Sequence, residues 1–103
     1  MIARIWRCVV PQGNASRYVT HFKATVEPEL RELKGFQEAF ILEHKLEDGS
    51  ELSIMTLWDS EESIRAFAGD DISVAVIAPP LQEIARSFDT TVTHSDVIFN
   101  LKP

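Results

Sequence analysis

The chain has 103 residues, 45% hydrophobic and 25% charged, the make-up of an ordinary globule, and it reads as one domain over residues 1–103. Its net charge is −6, from 16 acidic against 10 basic residues, and the Lys and Arg are scattered. That excludes the basic stripe on which nucleic-acid affinity depends and argues against an anionic membrane surface, so neither partner is expected.

Residues 2–10 are rich in Val, Ile and Trp and read as a strand. Arg4 and Arg7 interrupt what would otherwise pass for the apolar region of a signal peptide. Cys8 is the only cysteine, so no internal disulfide or CxxC motif exists, and it reads as a buried, inert thiol. The longest later apolar run, residues 74–80, is far short of the ~20 residues that span a membrane. These features place the protein in the cytoplasm.

Pro11-Gln12-Gly13 closes the first strand. Asn14 or Ser16 can cap a helix in which Ala15, Tyr18, Val19, Phe22, Thr25, Val26, Leu30 and Leu33 recur at helical spacing. Pro28 lies inside that pattern. It lacks an N–H and crowds the preceding turn, so a kink or break is expected near residues 26–28. Lys34-Gly35 ends the helix. Residues 36–46 form the second strand, Glu47-Asp48-Gly49-Ser50 a hairpin turn, and residues 51–58 a third strand antiparallel to the second. Asp59 or Ser60 caps the next helix, and Asp59 with Glu62 has the spacing of a capping box. Ile64, Phe67 and Ala68 form its apolar face, and Gly69 ends it. Residues 70–77 read as a second short helix stopped by Pro79-Pro80, residues 81–88 as a further helical stretch, and residues 90–100 as the last strand.

The order β-α-β-β-α-(α)-β is the split βαβ pattern: an α+β, ferredoxin-like fold with an antiparallel sheet. Helices cover one face of such a sheet. Alternation sets Phe36, Phe40, Leu42 and Leu46 of the second strand against Ala39 and Ile41, and Leu52, Ile54 and Trp58 of the third against Met55 and Leu57. Both faces are apolar, and one exposed would exceed what soluble monomers tolerate, so a homodimer packed sheet to sheet is expected.

Three stretches carry a family likeness. The start, MIARIWRCVVPQG, resembles the first strand of antibiotic-biosynthesis-monooxygenase domains. Leu57-Trp58-Asp59-Ser60-Glu61-Glu62-Ser63-Ile64 and then Phe67-Ala68-Gly69-Asp70-Asp71 resemble their strand end, following helix and helix exit. Val92-Thr93-His94-Ser95-Asp96-Val97 resembles their last strand, with Ser95 where an aromatic is common. The resemblance covers about residues 1–98 and implies a dimeric α+β barrel with a cavity between sheet and helices. The family it points to is mixed: cofactor-free quinone-forming oxygenases, haem-degrading enzymes and members without a known reaction.

The chemistry-bearing residues are few. Trp6, Trp58 and Tyr18 are either core aromatics or walls for a flat ligand, with Phe67 beside them. His94 shares a strand face with Asp96 at a separation too long for a direct bond, and reads as a base or as a satisfied, partly buried His. Arg4 shares its face with Trp6 and could neutralise Asp96 or bind a substrate anion. His21 neighbours Tyr18 on the first helix, at the cleft or in solvent; His44, near the hairpin, is expected in solvent. No HExxH and no Gly-rich phosphate loop occur, so neither a metal nor a cofactor is expected.

The resemblance implies a cofactor-free monooxygenase, or a related small-molecule enzyme, acting on an apolar, aromatic or phenol-like molecule. His94 with Asp96 is the first choice of base and His21 the second, Arg4 holds the anion, and Trp6, Trp58, Tyr18 and Phe67 form the pocket. The alternative is a non-catalytic, dimeric ligand-binding or stress-response module on the same fold. Haem-degrading relatives use an Asn, a Trp and an iron-ligating His at positions where this chain has Trp6, Phe67 and Ile77, so haem binding is not expected.

Overall fold

Residues 49–58 alternate between full and partial burial, the period-two signature of a strand with one well-covered face. In the computed structural model, which describes residues 1–103, they form β3 (Gly49–Trp58), between β1 (Ile2–Pro11) and β2 (Phe36–Lys45). Both pairings are antiparallel. The other edge of β1 carries two short strands, β4 (Ser87–Phe88) and β5 (Thr93–Asp96). The result is an α+β, ferredoxin-like fold on an antiparallel sheet.

One face of the sheet presents Cys8, Val10, Leu52, Ile54 and Trp58 to the helices, and with Tyr18, Phe22, Leu30, Ile64, Leu81 and Ile84 these make the core. The other face carries Ile5, Met55, Leu57, Phe40 and Leu42 in register across three strands. Phe36 departs from strict alternation. A bulge between Phe36 and Glu38 sets Phe36 opposite Trp58, so it packs on the helix side while Phe40 and Leu42 stay on the open face.

The first helical pattern is one rod in three parts: α1 (Ala15–His21), a π-helical turn at Phe22–Val26, and α2 (Glu27–Arg31). Pro28 explains the break. Its ring would press on the carbonyl of Ala24, so the turn before it widens, and Pro28 itself sits in the first turn of α2, where no N–H is needed. Helix α3 (Glu61–Ala68) begins one residue later than the Asp59–Glu62 pattern suggests. Its box is Ser60 with Ser63: Ser63 N–H donates to Ser60 Oγ at 3.3 Å, and Ser60 N–H donates to Ser63 Oγ at 3.1 Å. Asp59 instead accepts from Gln37 Nε2 at 2.6 Å.

The helix expected at residues 70–77 does not form. Asp71 Oδ1 accepts from Ser73 N–H at 3.1 Å and from Ser73 Oγ at 2.6 Å, a local turn that competes with helix. Val74 then bridges Thr91, and Ala75 N–H donates to the Thr90 carbonyl at 2.9 Å. Helix α4 (Leu81–Ile84) is likewise shorter than expected, because residues 87 and 88 leave it to pair with β1. No helix is long and apolar enough to cross a membrane.

Candidate functional site

Between the covered sheet face and the helical rod lies a cavity of about 120 Å³. Strand alternation puts Arg4 and Trp6 of β1, with Ile54 and Thr56 of β3, on its floor. Tyr18, His21, Thr25 and Glu29 recur every third or fourth residue and form one wall with Phe22, Val26 and Leu30. Much of that wall belongs to the π turn, so Pro28 shapes the cavity indirectly. Phe67 of α3, with Val76, Ala78, Leu81 and Val92, closes the remaining sides.

The aromatics are held rather than free. Trp6 Nε1–H donates to the Asp89 carbonyl at 2.6 Å, and the Trp6 and Tyr18 rings lie 6.2 Å apart at a 34° tilt. His21 follows, 5.8 Å from Tyr18. Its Nδ1 lies 3.4 Å from Thr25 Oγ1, whose own proton goes to the His21 carbonyl at 2.8 Å. That arrangement favours the imidazole proton on Nδ1 and leaves Nε2 bare. Burial, then the proximity of Cys8, raises the pKa of Tyr18, so its phenol stays protonated.

Arg4 is only 4% exposed and has no carboxylate partner. Its Nη1 donates to the Ile72 carbonyl and to His94 Nε2 at 3.0 Å, and its Nη2 donates to the Val74 carbonyl at 3.1 Å. Burial lowers its pKa, yet a guanidinium this basic remains charged. Arginine has no acceptor, so His94 Nε2 must accept and neutral His94 carries its proton on Nδ1. Burial, then the Arg4 cation, lowers the pKa of His94, against a smaller opposing pull from Glu61.

Arg4, Trp6, Tyr18, His21 and Phe67 therefore meet around one cavity, and Trp58, His94 and Asp96 do not line it. Trp58 is fully buried, donating to Thr56 Oγ1 at 2.8 Å and packing on Phe36 and Phe67. His94 pairs with Arg4 across β1 and β5, and its one unprotonated nitrogen is already engaged. Asp96 stands opposite Ile2, is exposed, and makes no ion pair with Arg4. His44 is exposed on the open face. Cys8 is buried, and burial followed by Asp89 pushes its thiol up to about 12, so it is inert at neutral pH. Sequence reasoning placed Thr25 on the inward stripe of the helix but missed the Ile72 and Val74 carbonyls, which have no side-chain signature, and Glu29, which the spacing from His21 and Thr25 could have shown. No cluster of three or more His, Cys, Asp or Glu able to hold a metal is present.

The family model for antibiotic biosynthesis monooxygenase matches residues 1–78. The chain belongs to this family. No curated protein matches it. Among solved structures, a Bacillus cereus protein ascribed to the antibiotic biosynthesis monooxygenases shares 19% identity at a TM-score of 0.71, over 99% of this chain and 97% of that one. A haem degrader from Mycobacterium tuberculosis, with two haems bound in its active site, shares 17% identity at a TM-score of 0.67, over 99% and 100%. A Streptomyces coelicolor monooxygenase in complex with nanaomycin D shares 18% at 0.65, over 99% and 91%. At such identities the likeness is one of fold.

The haem-degrading neighbour corrects the exclusion of haem. That exclusion rested on Trp6, Phe67 and Ile77, single aligned positions. A missing side chain at one position removes one ligand set, whereas occupation of a cavity depends on its whole wall, and this fold holds porphyrin elsewhere in the family's structural neighbourhood.

Proposed function

We propose that this protein is a cofactor-free oxygenase acting on a flat, phenol-type substrate bound between the sheet and the helical rod, and that it works as a homodimer in which each copy is one domain. The observation that supports this is the composition of the cavity: aromatic walls, one bare imidazole nitrogen on the helix side and one buried cation on the sheet side. His21 takes the phenolic proton, because its Nε2 is unoccupied and that of His94 is not. The phenolate then supplies the electrons. One oxygen atom of O2 enters the ring, the other leaves as water, and a quinone results. The apolar walls exclude water from the reactive anion, and Arg4, the cation on the sheet side, favours an anionic ligand.

Oxygen uptake with a panel of phenols and hydroquinones tests this. Uptake above the buffer rate that falls ~100-fold or more in His21→Ala supports the base assignment. Tight binding with no uptake for any member of the panel favours the non-catalytic module.

Haem is a second ligand to measure. His21 is the one imidazole on the cavity wall, and Arg4 would face a propionate. A porphyrin exceeds the present volume of about 120 Å³, so its entry requires the cavity wall to open. Titration with hemin gives a saturable spectrum lost in His21→Ala if this reading holds.

A further inference from the structure

We propose that the cavity selects an aromatic carboxylic acid, with its carboxylate gripped side-on by Arg4. The proposal rests on the aromatic-ligand reading above and adds the chemical group that the ligand must carry. A guanidinium has five N–H donors in a fixed plane. Three are engaged here: both on Nη1, by the Ile72 carbonyl and His94, and one on Nη2, by the Val74 carbonyl. The Nε–H and the second Nη2–H have no acceptor. No fully buried side-chain N or O in the protein lacks a partner, so Nε, which has none, is not sealed off. The open pair thus belongs to a side chain that lines the cavity.

Nε and Nη2 share one edge of the guanidinium, and N–H groups along that edge match the two oxygens of a carboxylate, whereas a single phenolate oxygen fills only half of that fork. Charge points the same way. The acceptors bonded to Arg4 are neutral, and Glu29, the one carboxylate of the cavity lining, makes no ion pair with it; an almost fully buried cation so placed gains from a ligand anion. Size sets the rest of the ligand. A volume of about 120 Å³ is of the order of the ~150 Å³ cavity that houses a benzene ring in an engineered core, which limits the ligand to a single ring. The carboxylate on the sheet wall leaves a hydroxyl on the far side of the ring to meet His21 on the helix wall.

Calorimetric titration of the whole protein with 4-hydroxybenzoate, its methyl ester and its carboxamide tests the proposal without any turnover. The acid should bind at least ~10-fold more tightly than either neutral analogue, the scale of one charge-assisted pair. Arg4→Met should erase that preference. Arg4→Lys should keep only a small part of it, since the charge remains and the fork is lost. Because Arg4 also ties down residues 72–74, a variant can fail to fold; the acid-to-ester ratio in the unaltered protein decides the matter alone. Equal binding of all three overturns the carboxylate and leaves the aromatic cavity standing. Binding of none overturns the aromatic reading itself, and the carboxylate with it.

Discussion

Arg4 and His94 are a pair in which each fixes the state of the other. Arg4 needs an acceptor, so His94 stays neutral; protonating His94 would set two cations against one another with only Glu61 opposing. The pKa of folded His94 is therefore below its ordinary value of 6.5. The folded state then binds fewer protons than the unfolded state. The stability this contributes is present above about pH 6.5 and is lost as the pH falls through the lowered folded value. The thermal midpoint should drop as the pH falls below about 6.5, and His94→Gln, whose amide oxygen still accepts from Arg4, should flatten that part of the curve. Parallel curves for the two proteins would show that His94 does not titrate against Arg4. Alternation along β1 placed Arg4 beside Trp6 correctly, since the period of a strand is legible in any sequence. Its partners were not legible, because two of them are main-chain carbonyls of a loop whose path depends on the Asp71–Ser73 turn.

Elements were legible where a local rule acts alone. Pro28 announces a break, and the π turn at Phe22–Val26 lies just before it. Residues 70–77 and 85–88 were misread because the helix that Asp70-Asp71 and Pro79-Pro80 bound in sequence, and the continuation of α4, compete with pairing to Thr90, Val92 and β1, and non-local hydrogen bonds won. The junction of β2 and α3 tests how tightly elements meet. Gly35 has φ +86°, and a Cβ there would lie 2.5 Å from Ser63 Cβ, in the capping box of α3. Gly13 has a similar φ of +88° with nothing within 4 Å, so Gly13→Ala isolates the backbone strain. We expect Gly13→Ala to cost about 1 kcal/mol and Gly35→Ala about 2–3 kcal/mol, read as thermal midpoints. Equal losses would mean that Ser63 and the start of α3 yield to the added methyl.

At the scale of the whole molecule, the apolar open face is the unsettled surface. The sequence showed large apolar groups on both sides of each long strand, and the register puts Ile5, Met55 and Phe40 side by side on the uncovered side, with Leu57 and Leu42 flanking them. Phe40 and Leu42 are 37% and 51% exposed, and the chain end adds Ile98, Phe99 and Leu101 at 94%, 79% and 81%. What alternation could not reveal was the bulge that removes Phe36 from this face, or that residues 97–103 leave the sheet. A second copy packed sheet to sheet would cover the patch. Sedimentation at micromolar concentration should then give about twice the 11.6 kDa chain mass. Met55→Lys should shift the protein toward the monomer, because an unpaired ammonium at the centre of that contact costs several kcal/mol, enough to raise the dissociation constant ~100-fold or more. Lys23→Glu, on the helix side, changes charge without touching the sheet face and should leave the mass unchanged. A mass of one chain that does not vary with concentration in the unaltered protein would rule out the dimer, and the open face would then need a different partner.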